Sequence, residues 1–146
     1  MRNKGREFTV GRITYLFDGL HLWYALPSGR VLCYPFARFD DEGNLTYAKA
    51  SWKPAADAKE WPRARLWRGL ACENITQAIA NDLLRYALRQ LDDVVLHIHD
   101  EIVLEVPEAD AEAAAARLVQ VMCTPPPWAT GLPLNAEVAI MERYGK

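Results

Sequence analysis

The stretch VVLHIHDEIVLEVP, from Val94 to Pro107, predicts a β-hairpin with acidic residues at its join. Its first half is apolar and mainly β-branched, and its second half alternates apolar and acidic side chains, so both halves favour strands. Hairpins are usually joined by Asn-Gly or Gly-Gly, which suit tight turns. Here the join instead contains Asp100 and Glu101 beside an imidazole. We therefore expect Val94–Ile98 and Ile102–Val106 to pair antiparallel, with both carboxylates at or next to the turn.

A long amphipathic helix is predicted immediately before this hairpin. Between Glu73 and Leu91, apolar residues recur at helical spacing, and a separate stripe consists of neutral amides and a guanidinium group. Neutral amides both donate and accept hydrogen bonds, so a row of them is suited to contact with a partner. The stripe consists of Asn74, Gln77, Asn81 and Arg85, and we expect Gln77, Asn81 and Arg85 to point away from the core together.

The order of the predicted elements favours an α+β fold. Before the long helix, turn signals separate three predicted strands, at Thr9–Phe17, Leu20–Leu26 and Arg30–Tyr34, and the first two form a β-hairpin region. Residues 39–45 are predicted as a loop, and residues 51–62 as an irregular segment. After the acidic hairpin, a helix is predicted at Asp110–Met122 and a last strand at Leu134–Met141. We expect a small antiparallel sheet with helices packed on one face, in a single domain over residues 1–146.

The composition excludes several classes of protein. Hydrophobic residues make up 51% of the chain and charged residues 25%, as in globular proteins. No apolar run is long enough for a membrane helix. The three cysteines form no Cys-x-x-Cys pair, which favours reduced thiols over a disulfide framework or a structural zinc site. We therefore expect a cytoplasmic protein without membrane association.

The charges are unevenly distributed along the chain. Residues up to Gly69 include 12 Lys and Arg against 7 Asp and Glu, whereas the remaining residues include 5 against 12. A basic half is suited to a polyanion, and an acidic half is suited to metal ions. An unevenly charged, solvated surface explains the same counts and is the simpler explanation.

Three tryptophans lie among the basic residues of the first half. An aromatic and basic mixture of this kind binds single-stranded nucleic acid through base stacking. It also anchors irregular segments onto a core, and the sequence leaves both interpretations open. The residues concerned are Trp52, Trp61 and Trp67, with Lys53, Lys59, Arg63, Arg65 and Arg68.

The carboxylates of the acidic hairpin suit a hard cation. Mg²⁺ prefers carboxylate oxygens together with substrate phosphates, and a pair of such ions stabilises both oxygens in phosphoryl transfer. The same hairpin also fits a plain acidic turn. A third interpretation is a transition-metal site, in which His97, His99 and Glu101 alternate onto one strand face.

Several motifs, in order, resemble the C-terminal part of the palm in family A DNA polymerases, above all the phage-type members. The resemblance runs from about Gly11 to the C-terminus, through LPSGRVLCYP, NITQAIANDLL, LHIHDEIVLEVP, CTPPPW and GLPLNAEV. It implies that the His-Asp-Glu tripeptide is that family's motif C. On this resemblance Asp100 is the metal ligand, Glu101 is its acidic companion, and His99 lies near the primer terminus. The implied cofactor is Mg²⁺.

The resemblance also implies a nucleic-acid contact on the long helix. Gln77 matches the glutamine that contacts the minor groove of the primer-template in this family. Helical spacing extends this expectation to Asn74, Asn81 and Arg85. A minor-groove contact suits a polymerase, because the acceptors there are nearly the same for every base pair.

The sequence also departs from the family pattern. We find no motif A strand with its metal-binding aspartate and no fingers helix of motif B, so the chain resembles a palm fragment that begins just after the fingers. We therefore expect a DNA-directed DNA polymerase fragment that is inactive alone and works with primer-template DNA and a partner carrying motifs A and B. Self-association through exposed palm surface is also expected, in the cytoplasm of a bacterial or phage-infected cell. The alternative is a non-catalytic remnant that binds nucleic acid or a protein partner.

Overall fold

The computed structural model describes residues 4–50 and 61–145. These residues form antiparallel sheets and two α-helices, which confirms the predicted α+β fold. The chain divides into two compact units, Met1–Thr76 and Gln77–Lys146, which we describe separately. The single domain over residues 1–146 stays a prediction.

The first unit begins with a four-stranded antiparallel meander. Its strands are β1 (Glu7–Val10), β2 (Ile13–Phe17), β3 (Leu22–Ala25) and β4 (Val31–Tyr34), in that order across the sheet. The single strand predicted over Thr9–Phe17 is wrong, because the chain turns at Gly11, which has a φ of +61°. The next two predicted strands are confirmed in shorter form.

Aromatic side chains form a row across this sheet that ends at Tyr47, outside the sheet, and they provide part of the core of the first unit. Phe8 stacks on Tyr15 and Tyr24 on Tyr34, with ring centroids 5.1 and 5.2 Å apart, and Tyr47 meets Tyr34 edge-on at 5.0 Å. The row passes from the exposed Phe8 to the buried Tyr24, Tyr34 and Tyr47. Burial raises the pKa of Tyr15, Tyr24 and Tyr47.

A second, three-stranded sheet completes the strands of the first unit. It contains β5 (Arg38–Phe39), β6 (Leu45–Ala48) and β7 (Arg63–Arg65), paired antiparallel. The predicted loop over residues 39–45 is a turn between β5 and β6, although Phe39 and Leu45 belong to the strands. Within the turn, Asp40 Oδ1 accepts a 2.7 Å hydrogen bond from the Asn44 backbone N–H. Most of the segment predicted as irregular, including Trp52, Lys53 and Lys59, lies outside the described residues.

Helix α1 (Arg68–Leu88) starts five residues before the predicted helix and reaches from the first unit into the second. The second unit continues with strands β8 (Val94–Ile98) and β9 (Glu101–Leu104) and helix α2 (Ala111–Met122). The core cluster of this unit contains Leu84 and Ala87 of α1, Ile102 of β9 and Val121 of α2. Both helices therefore pack against the apolar side of the hairpin.

The last predicted strand is not formed. Residues 134–141 have no regular secondary structure, and Val138 and Ile140 are about half exposed. Their alternation of apolar residues is typical of a strand, but a strand also needs a neighbour for its backbone hydrogen bonds. No described strand pairs with these residues. Within residues 4–50 and 61–145, neither helix has the length and apolar character needed to cross a membrane.

Candidate functional site

The predicted acidic hairpin is confirmed, although its second strand is Glu101–Leu104 rather than Ile102–Val106. Strands β8 and β9 pair antiparallel, with Ile98 opposite Glu101, so His99 and Asp100 alone form the turn. Both turn residues are exposed. His99 has a φ of +53°, which is uncommon for a residue with a side chain and costs about 1–2 kcal/mol. Asp100 thus projects from a tight turn whose backbone is strained.

Glu101 differs from Asp100 in its surroundings. It is the first residue of β9 and is partly buried. Its Oε2 accepts a 3.0 Å hydrogen bond from the phenol of Tyr144, which lies 43 residues further along the chain. One carboxylate is therefore solvated at the turn, while its neighbour is oriented by a side chain from the C-terminal segment.

A cavity of about 1740 Å³ lies beside the hairpin within the second unit. Gln77 and Asn81 of α1 line it together with His99, Asp100 and Glu101. Pockets for small molecules are usually about 300–1,000 Å³, so this cavity is large for such a ligand. The structure thus places the carboxylates and two of the predicted amides around one open space.

The other two members of the predicted amide stripe differ in position. Gln77, Asn81 and Arg85 are exposed, as predicted, but Arg85 does not line the cavity. Asn74 belongs to the first unit and is partly buried. Its side-chain amide donates a 3.1 Å hydrogen bond to the phenol oxygen of the buried Tyr34. Asn74 is therefore used in packing the first unit, and its predicted contact with DNA stays a prediction.

The transition-metal interpretation of the hairpin is wrong. His97 lies opposite Ile102, whereas Glu101 lies opposite Ile98. Residues opposite each other in a hairpin point to the same face, whereas successive residues of one strand point to opposite faces. His97 therefore shares a face with Ile102, and Glu101 lies on the other face. Across the described part of the chain, no three His, Cys, Asp or Glu side chains are grouped as a metal site.

Tyr144 is a site residue that the sequence did not predict. Its partner is 43 positions away, and neither helical nor strand periodicity relates residues at such a distance. Nothing in the residues around Tyr144 indicates a contact with the hairpin.

Comparison with known proteins relates the chain to a polymerase. It is 33% identical over 138 residues to the DNA polymerase of Bacillus phage SP02, an alignment that covers 92% of this chain and 21% of the phage protein. The chain thus spans about a fifth of the length of that relative. No protein-family profile matches the chain, and no solved structure matches it. By this similarity, the sequence is related to that of a phage DNA polymerase.

Proposed function

We propose that this chain is the C-terminal palm part of a family A DNA polymerase and supplies the motif C carboxylates for nucleotidyl transfer. The observation that supports this most directly is the hairpin, which presents Asp100 at an exposed two-residue turn and Glu101 directly beside it. The relationship to the phage SP02 DNA polymerase supports the same assignment. The rest of such a site, including motifs A and B, would come from another segment or chain.

The donor atoms of the hairpin fit part of a Mg²⁺ site. Asp100 and Glu101 offer carboxylate oxygens, the ligands that Mg²⁺ prefers together with water and substrate phosphates. When bound, the two ions activate the attacking hydroxyl and stabilise the leaving oxygen. Two adjacent carboxylates are too few to displace most of the water around Mg²⁺. We therefore expect the isolated chain to bind Mg²⁺ weakly.

Primer-template DNA would then lie along the cavity beside the hairpin. Gln77 and Asn81 line the same cavity as the carboxylates, and both offer amide groups for hydrogen bonds with minor-groove acceptors. Arg85 is exposed four residues beyond Asn81 on the same helix and suits a phosphate. His99, in the turn beside Asp100, would be the residue next to the primer terminus.

Primer extension with Mg²⁺ tests the proposal. The partner is a phage SP02 DNA polymerase from which the aligned segment has been removed. We expect no extension from this chain alone, because it holds neither the triphosphate nor the second set of metal ligands. We expect extension when both chains are mixed. Asp100→Ala should abolish that activity without unfolding the chain, since the turn is solvated.

Asp110→Ala is the matched control. Asp110 is an exposed aspartate before α2 whose side chain forms no capping hydrogen bond, so this variant should extend primers normally. Extension by the purified chain alone would contradict the inferred dependence on a partner. Activity that survives Asp100→Ala would show that the metal ligand is misassigned. A mixture that never extends primers, although both chains are folded and associated, would favour a non-catalytic remnant.

A further inference from the structure

An exposed tryptophan lies against a glycine where α1 begins. Trp67 is 57% exposed, and its six-membered ring is so close to Gly69 that a β-carbon at that position would overlap with it. The missing side chain of Gly69 therefore lets the indole lie against the first turn of the helix. More than half of the surface of Trp67 is nevertheless accessible to solvent.

The backbone around Trp67 is fixed on both sides. The Leu66 N–H donates a 2.7 Å hydrogen bond to the Leu45 carbonyl, and the Trp67 carbonyl accepts a 3.1 Å hydrogen bond from the Ala71 N–H. The indole is thus exposed at the junction of β7 and α1 rather than on a long loop. Because the ring is already positioned, a ligand that stacks on it loses little affinity to ordering the side chain.

Two exposed arginines flank this tryptophan, Arg65 at the end of β7 and Arg68 at the start of α1. The pKa of Asp40 is lowered mainly by its hydrogen bond from the Asn44 backbone and, in smaller part, by the charge of Arg65. Part of the charge of Arg65 is therefore balanced within the protein. Arg68 is the better candidate for contact with an external anion.

We propose that Trp67, Arg68 and Gly69, which we call the Trp67 site, bind single-stranded DNA. An unpaired base stacks on the indole, and Arg68 contacts a neighbouring phosphate. A positioned aromatic ring beside a cation binds single strands with little dependence on sequence, since every base has a π-face. The choice of DNA as the ligand rests on the proposed function, because the template of a polymerase is single-stranded ahead of the primer terminus.

The test measures binding of the full chain to two fluorescein-labelled oligonucleotides by fluorescence anisotropy. One is oligo-dT, and the other has the same length with abasic sites in place of the bases. The chain should prefer oligo-dT, because only that strand can stack. Trp67→Ala should weaken oligo-dT binding about fivefold or more, which would bring it close to the abasic strand. Arg68→Gln should weaken both and reduce the dependence on salt.

Two further variants separate the position of the indole from the mere presence of tryptophan. Gly69→Ala favours the helix but displaces the ring, so it should lose the preference for oligo-dT while circular dichroism shows an intact fold. Trp61→Ala removes a tryptophan that is exposed to a similar extent, 56%, but lies against no described glycine. It should keep the preference. Equal losses from Trp61→Ala and Trp67→Ala, or no loss from Gly69→Ala, would overturn the proposal.

Asp100→Ala distinguishes this inference from the proposed function. It should abolish primer extension in the two-chain mixture and leave oligo-dT binding unchanged. If extension requires Asp100 but the wild-type chain binds both oligonucleotides equally, the Trp67 site is refuted while the polymerase assignment stands. Such a result would point to a protein partner for the exposed indole.

Discussion

The phenol of Tyr144 donates a hydrogen bond to Glu101 Oε2, which links the C-terminal segment to the first residue of β9. The Asp100 side chain, by contrast, lies in the exposed turn. If both carboxylates serve one metal site, their roles should differ accordingly. Asp100 would be the ligand that is free to adjust, and Glu101 the one whose orientation is set from within the chain.

Tyr144→Phe should reduce primer extension in the two-chain mixture by about tenfold, a usual cost of losing a group that orients a metal ligand. Because Tyr144 is about half exposed, the melting temperature should change little. The measurement is the extension rate as a function of Mg²⁺ concentration. We expect the loss to shrink at high Mg²⁺, whereas Asp100→Ala should stay inactive. A rate equal to the wild type at low Mg²⁺ would show that the hydrogen bond has no part in metal binding.

Gln77 and Asn74 should respond differently to substitution by alanine. Gln77 is exposed and lines the cavity beside the hairpin, so Gln77→Ala should weaken primer-template binding in the two-chain mixture and change stability by less than about 0.5 kcal/mol. Asn74→Ala removes the hydrogen bond to the buried Tyr34 and should cost about 1 kcal/mol of unfolding free energy without affecting DNA binding. Urea denaturation and fluorescence anisotropy measure the two quantities. If Asn74→Ala binds DNA more weakly while its unfolding free energy is unchanged, Asn74 contacts DNA.

The His99→Gly variant should be more stable than the His99→Ala variant. Its φ of +53° strains any residue with a β-carbon, and alanine keeps that strain while glycine removes it. Glycine also gives the unfolded chain more entropy, which offsets part of this gain. The unfolding free energy of His99→Gly should therefore be higher than that of His99→Ala by roughly 0.5–1 kcal/mol. Urea denaturation of the two variants checks this order. If alanine is the more stable substitution, the turn does not hold His99 in the left-handed region in solution.

The sequence predicted features of this fold that depend on near neighbours. The acidic hairpin joins residues only a few positions apart, and strand propensity with an intervening turn was enough to place Asp100. The bonds of Asn74 to Tyr34 and of Glu101 to Tyr144 join residues 40 and 43 positions apart, which no local pattern reveals. The alternation over residues 134–141 indicated which side chains share a face, but it did not indicate whether a partner strand exists. The turn at Gly11 was missed because apolar and β-branched residues on both sides of it favour one continuous strand.

Protonation of Asp18 should lower the stability of the first sheet at acid pH. One of its carboxylate oxygens accepts hydrogen bonds of 2.7 Å from the backbone N–H groups of Leu20 and His21, and the other accepts one of 2.8 Å from the Trp23 indole. The backbone bond from His21, followed by those from Trp23 and Leu20, lowers the pKa of Asp18 to about 2. These bonds favour the ionised form, so their contribution to stability is complete above the ordinary aspartate pKa and is lost as the pH falls through about 2.

Asp18→Ala should therefore lower the melting temperature at pH 7, and the difference from the wild type should narrow as the pH falls from about 4 towards 2. Asp18→Asn keeps an oxygen for the two backbone N–H groups but loses the acceptor for the indole. Its melting temperature at pH 7 should therefore lie between those of Asp18→Ala and the wild type. Asp41→Ala, in the turn between β5 and β6, controls for the loss of one exposed negative charge. Thermal melts followed by circular dichroism at several pH values measure these differences. A difference between Asp18→Ala and the wild type that stays constant down to pH 2 would show that the ionised carboxylate is not what stabilises the turn between β2 and β3.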